Sequence, residues 1–368
     1  MRYVTLETSD KVQLAMDQML GVKKSAGQGV PSFRSLKQAY VQITGDSDFR
    51  LLGNGGLYRT ALAAGDPVGV ADFPNVLMDA MHKRLLQDWA ELGMQGLEQL
   101  YVVGQAITDF RTQNRMRDGY FGDLNDVAEN ADYQPINKPT DEKVSFSVGK
   151  KGGILTISEE TIRNDELGAI ARWPTKLARS ARHTLKVFIL KKFTLNPNYL
   201  ADGLAWFHTT HNNLGSTALS IDSLNAAEIL LGEQTEKNSN NPLGLTLDWI
   251  MVPFALKAAA YQINQSEYVT GQIGVANPWY HRFGEKNERI FVNSELTDAN
   301  DWYYGTDKSN APCLEVGFLD GNQEPQIVIA NDPRVGKMFT SDQIQYKVKW
   351  AFGGVITDFR GVGKNVVA

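Results

Sequence analysis

The chain is short of cysteine, of apolar runs and of positive charge, and each shortage removes a class of protein. A single cysteine, Cys313, excludes an intramolecular disulfide framework, and nothing pairs with it as a metal site. The expectation for it is a small buried apolar residue in a reducing compartment. No apolar run approaches the ~18 residues that span a bilayer, so no membrane partner is expected. The opening MRYVTLETSDKVQLAMDQ lacks the charged-then-apolar order of a secretory signal, which predicts a soluble protein made in the cytoplasm. The formal net charge is −5 at pH 7, so the body as a whole does not grip DNA by charge.

Catalytic signatures are missing too. There is no GxxxxGK[ST] loop, no GxSxG elbow and no GxGxxG between a strand and a helix. Glu159 and Glu160 stand beside a helix start, where the helix dipole accounts for them. The sharpest constellation is His208-Thr-Thr-His211, whose spacing could place two imidazoles on a zinc ion. The glutamate of HExxH is absent, and the flanking DGLAWF and NNLG predict a loop with the histidines bonded to backbone. A zinc hydrolase built on His208 and His211 is the enzyme alternative. The main expectation is no enzyme, with no catalytic residue, metal or cofactor.

What is present describes an ordinary folded protein: 368 residues, 42% hydrophobic and 21% charged, with 33 glycines. That length predicts two or three folding units. Residues 1 to about 70 are turn-rich, with one short helix signalled by Leu36, Ala39, Tyr40 and Ile43. Such a stretch is expected either to be disordered or to lie on something else. ADFPNVLMDAMHKRLLQDWAE begins a helix, with Asp72 as cap and Pro74 in the first turn, and Val76, Met78, Leu85, Leu86 and Trp89 supply its apolar faces. A polar stretch from 108 to 143 is too long for an ordinary connection and returns as the strand VSFSV, with GKKGG turning the chain into ILTIS. This pattern predicts a projecting β-ribbon.

A long basic helix is expected next, from near Asn164 and Asp165 to about 194, with Pro174 as a kink or the end of a first short turn. Leu167, Ile170, Leu177, Ala181, Leu185, Phe188 and Ile189 form its apolar stripe. Arg172, Lys176, Arg179, Arg182 and Lys186 are candidates for a DNA-facing surface; a solvated helix face is the plain alternative. Short helices and strands alternate afterwards, including an Asp-Gly hairpin signal between CLEVGFL and PQIVIAN. The last segment, SDQIQYKVKW, alternates buried Ile344, Tyr346, Val348 and Trp350 with polar residues, a strand with one wet face. No internal repeat is evident. The fold class is α+β without regular βαβ winding.

Several segments, in order, resemble the major capsid proteins of tailed double-stranded-DNA phages. They are ADFPNVLMDAMHKRL, TDFRTQNRMRDG, VAENADYQ, ISEETIRNDELGAIARWPTKLARSAR, AWFHTTHNNL, DANDWYYG, CLEVGFLDGNQEPQI and IQYKVKWAFGGVITDFRG. The resemblance covers about Ala71 to Val362 and is closest to Mu-like head proteins and to the capsid halves of protease–capsid fusions. It implies a Hong Kong 97-like capsid fold. Residues 1–106 would be the N-terminal arm and leading helix, 107–158 the extended loop, 159–221 the peripheral domain with its spine helix, 222–342 the axial domain, and 343–368 the returning C-terminal strand. It further implies self-assembly into hexamers and pentamers that form an icosahedral shell around the genome. The implied partners are packaged DNA, bound without sequence preference, together with scaffold, prohead protease, portal and decoration proteins. The implied location is the virion, assembled in the cytoplasm of the bacterial host. Tyr120 and Phe121 would be loop anchors on a neighbouring subunit. Encapsulin-like and gene-transfer-particle shells are alternatives of the same kind.

Overall fold

The computed structural model describes residues 8–24, 30–44, 72–94, 96–117, 126–127, 129, 132–133, 142–158, 160–161, 164, 172–237, 241–269, 274–330, 336–341 and 343–367. In chain order the elements are α1 (Thr8–Met19), α2 (Leu36–Thr44), α3 (Asp72–Leu92), β1 (Val102–Val103), β2 (Gln113–Arg117), β3 (Glu142–Phe146), β4 (Gly149–Ser158), α4 (Trp173–Leu195), β5 (Leu214–Gly215), α5 (Ile221–Gly232), β6 (Trp249–Pro253), α6 (Lys257–Gln265), β7 (Ile290–Asn293), β8 (Trp302–Gly305), β9 (Leu314–Phe318), β10 (Gln326–Ala330), α7 (Gly336–Ser341), β11 (Gln343–Ile356) and β12 (Val362–Asn365). Helices and strands are interspersed as an α+β protein. No described helix is long and apolar enough to cross a membrane.

These elements form two compact units, each discontinuous in sequence. One holds residues 1–93, 150–184 and 322–351; the other holds 94–149, 185–321 and 352–368. Both cut across the five successive segments that the resemblance implies.

In the first unit, α1, α2 and α3 close over one apolar core with β10 and β11. The helix α2 forms where its spacing predicts and buries Leu36, Ala39, Tyr40 and Ile43. The described parts of the N-terminal stretch, 8–24 and 30–44, include a helix, α1, beyond the one that the sequence signals, and they pack within their own chain: Val12, Met16, Tyr40, Phe73, Leu77 and Tyr346 share the core. Lys83 of α3 sits 3.3 Å from Asp17 of α1 and 2.7 Å from Asp79. The buried face of α3 runs through Phe73, Leu77, Ala80, Met81, Leu85 and Trp89, whereas Val76, Met78 and Leu86 are only partly covered. The α4 helix begins at Trp173, so Pro174 occupies its first turn, where a missing N–H costs nothing. Leu167 and Ile170 lie outside the described residues.

The strand pairing departs from expectation at GKKGG. That segment is not a turn joining VSFSV to ILTIS; it is the first half of β4, which pairs with β11. β3 pairs instead with β2, antiparallel. The cause is steric: a Cβ on Gly152 would stand 2.2 Å from the Val348 carbonyl oxygen, so only glycine lets the two backbones approach so closely. The Asp320-Gly321 signal does give a turn, with φ of 53° and 71°. The flanking strands do not form a hairpin, however. β9 pairs with residues 352–356 of β11, and β10 with residues 345–349. The long strand β11 outcompetes the local pairing; Ile344, Tyr346 and Trp350 are buried and Lys347 and Lys349 exposed as the alternation predicts, while Val348 is only half-buried.

The second unit is built on a sheet of order β5-β12-β8-β6-β7. β6 and β7 are parallel, with α6 in the crossover. Trp279, Phe283, Trp302 and Tyr304 lie in its core with Leu224 of α5. Each deeply buried indole finds an acceptor, as an apolar ring with one polar edge requires: Trp206 donates to the Asp358 carbonyl at 2.9 Å, Trp249 to Thr306 at 2.8 Å, and Trp302 to Thr217 at 2.9 Å. Cys313 is buried as expected, and burial pushes its thiol pKa well up.

Two adjacent glycines test the β4 account. Gly152→Ala is expected to cost about 1–3 kcal/mol, the usual penalty for overpacking. Gly153→Ala meets nothing within 4 Å and is expected to be neutral or to stabilise by up to about 1 kcal/mol. Urea unfolding of both variants checks this; equal effects would show that close backbone approach is not what places glycine at 152.

Candidate functional site: the ion-paired root of the ribbon and the basic helix

The β2–β3 pair forms the root of the polar excursion, with Arg117 directly opposite Glu142 in the ladder. Around this last pair lies a cluster of five charged side chains. Arg360 is 3% exposed and grips Glu142 with two bonds, 3.0 and 3.3 Å long. It also donates to Asp358 Oδ1 at 2.9 Å and to the Thr235 carbonyl at 2.8 Å. Arg117 donates to Glu236 at 2.9 Å and to Glu142 at 3.3 Å, and its Nε stands 3.2 Å from Asp358 Oδ2. Tyr199 adds a hydroxyl, 3.3 Å from Glu142 and 3.2 Å from the Thr357 carbonyl.

Two guanidinium groups thus face three carboxylates. Burial alone would raise the Glu142 pKa, but the hydrogen bonds and charge of Arg360 and Arg117 outweigh it and hold the carboxyl below its ordinary value. Burial likewise opposes the charge on Arg360, and Asp358 and Glu142 more than offset it. Burial pushes the Tyr199 hydroxyl far up, which keeps it a neutral donor. Such a cluster holds geometry more than it adds net stability, because desolvation offsets much of the attraction. Here the geometry held is the end of the β2–β3 pair, at residues 117 and 142.

None of these five residues stands out in the sequence, but one signal points to the site. The pentapeptide Ile-Thr-Asp-Phe-Arg occurs at 107–111 and again at 356–360, a recurrence that a search for whole repeats overlooks. In both copies the aspartate accepts the backbone N–H two residues on, at 3.1 Å, an Asx turn. In the second copy the turn is buried and aims its arginine at Glu142.

Beside the cluster lies a polar cleft of about 860 Å³, whose walls include Glu142, Arg360, Gln234, His211 and Asp202. The two histidines do not converge on it as a metal pair. His208 begins a 3₁₀ turn and accepts from the Thr210 N–H at 3.1 Å. His211 is buried, with its ring nitrogens 3.1 Å from the Trp206 carbonyl and 2.7 Å from Asp202, and it stacks on Phe359 at 3.9 Å. Among the described residues no three metal-ligating side chains are gathered.

The five cations expected to face DNA take different positions. Arg172, Lys176 and Arg179 are exposed, and Lys186 is half-buried. Arg182 is engaged elsewhere: it donates to the Trp89 carbonyl at 3.1 Å and lies over the Trp89 ring at 3.8 Å. Trp89 in turn meets Trp350 edge-on at 5.1 Å. Tyr120 and Phe121 lie outside the described residues.

Arg360→Met would leave Glu142 and Asp358 with Arg117 as their one remaining guanidinium, and a loss of about 3–5 kcal/mol in urea unfolding is expected. Glu142, with its lowered pKa, stabilises the fold above its ordinary value of about 4.3, and that contribution disappears as pH falls through the lowered pKa. Glu142→Gln should therefore lose thermal stability less steeply than the parent on acidification below that value. Equal slopes would remove Glu142 from the energetics of the cluster.

A family model described as phage capsid protein matches residues 141–365, from the return of the ribbon to the last strand. No curated protein sequence matches the chain. Among solved structures, the chain is similar to a protein of Mycobacterium phage Patience, with 10% identity, a TM-score of 0.49 and coverage of 80% of this chain and 88% of the other. It is also similar to one of Microbacterium phage Oxtober96, with 10% identity, a TM-score of 0.48 and coverage of 74% and 90%. A third is the capsid of a native GTA particle, with 10% identity, a TM-score of 0.47 and coverage of 75% and 91%. With a family model matched across well over half its length, the chain belongs to the phage capsid protein family.

Proposed function

We propose that the chain is the major, shell-forming subunit of a phage head, built from hexamers and pentamers of itself around a double-stranded DNA genome. The match over residues 141–365 carries this reading. It takes in the Glu142 side of the ion cluster, the basic helix and the sheet that receives the last strand. The role is assembly without turnover: many weak, repeated contacts make a closed shell stable although no single interface is strong. A ribbon suits this role only if its root is rigid, because a contact made at the end of a swinging arm gains little from each neighbour.

Within a Hong Kong 97-like architecture, residues 107–158 serve as the extended loop, α4 within 159–221 as the spine helix, 222–342 as the axial domain and 343–368 as the returning strand. Tyr120 and Phe121 anchor the loop on a neighbour. Scaffold, prohead protease, portal and decoration proteins are the partners, and assembly takes place in the cytoplasm of the host before the subunit becomes part of the virion.

Negative-stain microscopy and sedimentation of the protein, alone and coexpressed with its neighbouring head genes, test the proposal. Capsomers or closed shells are expected, with nuclease-protected DNA once packaging proteins are present. A compact monomer under every condition would overturn it.

A further inference from the structure

The α4 helix carries six lysines and arginines and no aspartate or glutamate. Among the described residues, eight cations are matched to carboxylates within the chain. Lys83, Arg84, Arg115, Arg117, Arg282, Arg289, Arg360 and Lys364 all stand in ion pairs. Arg172, Lys176 and Arg179 are exposed and have no ion pair among the described residues. Steps of four and three residues put them in one row along the helix, and His183, also exposed, continues it by four.

This row is unfavourable for the isolated subunit on two counts. Like charges three and four residues apart repel. Arg172 precedes the first turn of α4 and Lys176 lies within it, at the end where the helix dipole disfavours cations. Among the described residues no ion pair offsets either cost, and Arg182, outside the row, shows what an internally satisfied cation on the same helix looks like.

We propose that the row Arg172, Lys176, Arg179 is a phosphate-binding surface for the sugar–phosphate backbone of packaged duplex DNA, with His183 extending it. Arg182 and Lys186 are not part of it. The identity of the polyanion rests on the shell reading; the existence of an anion-binding row does not. At 1.5 Å rise per residue the three cations are spaced about 4.5–6 Å apart along the axis. Flexible side chains at that spacing reach separate phosphates of a strand that presents one charge every few ångströms. Contacts to phosphate alone carry no sequence information, so binding is indifferent to sequence and weak per copy, and it gains strength from the number of copies.

The test compares Lys176→Gln/Arg179→Gln with a charge-matched control, Lys257→Gln/Lys286→Gln, in the full-length protein. Binding to linear duplexes of two unrelated sequences is measured across a salt series. The slope of log K against log salt should fall by about 2 in the row variant, about 1 for each phosphate contact removed. The control should keep the parental slope, and both duplexes should behave alike. The row variant should also melt no earlier than the parent, because the charges it loses repel one another. A row variant with the same slope and affinity as the control would overturn the proposal, as would a row variant whose loss depends on sequence. Shell formation is scored separately. Capsomers or shells with unchanged DNA binding refute the row alone, whereas a monomer with row-dependent DNA binding refutes the shell reading alone.

Discussion

A guanidinium that is 3% exposed and charged at every accessible pH has to be surrounded by acceptors, and much of the second unit follows from meeting that demand at Arg360. The carboxylate that meets it most fully, Glu142, lies 218 residues away in sequence. Bringing the two together means that the turn after β11 must sit against the ribbon root. Arg117, opposite Glu142 in the β2–β3 ladder, is then drawn to Glu236 beyond α5, and Tyr199 closes the remaining side with its neutral hydroxyl. The pairing is demanding in geometry because removing either partner strands a buried charge. That makes the end of the β2–β3 pair a fixed point of the second unit.

The first unit is ruled by backbone approach. Glycine at 152 allows β4 to lie against β11, and the helices α1, α2 and α3 cover the apolar face beside them. The same unit presents the row of cations on α4 that has no ion pair among the described residues. Electrostatics therefore takes opposite forms in the two units: closed and paired around Arg360, open and repulsive along the helix. The first holds a shape and the second awaits a partner.

Much of this was legible from local pattern. The spacing of Leu36, Ala39, Tyr40 and Ile43 predicts α2, and the alternation through Ile344, Tyr346 and Trp350 predicts the wet and dry faces of β11. The turn signals around His208 and His211 predict backbone-bonded imidazoles. Each of these is a property of a few consecutive residues. GKKGG and the Asp-Gly signal mislead for the opposite reason: both are good local turns, but a fourteen-residue strand at β11 offers more pairing than either turn can. The cluster at Arg360 is invisible because its members are ordinary charged residues scattered over the chain, and burial, which makes them costly and informative, is not a local property. Only the recurrence of Ile-Thr-Asp-Phe-Arg hints at it, through the Asx turn that both copies share.

By itself the sequence determined where several helices and strands form, such as α2 and β11, that the chain lacks the signatures of common catalytic motifs, that one helix carries cations without acids, and the order of segments that marks the family. Those features depend on residue type and on spacing within a few turns. The tertiary structure decided which cations are available and which are consumed, which strand β4 and β3 each choose, and that the ribbon root closes on Arg360. Those outcomes turn on desolvation and steric approach between residues tens to hundreds of positions apart, and neither quantity exists until the chain has folded.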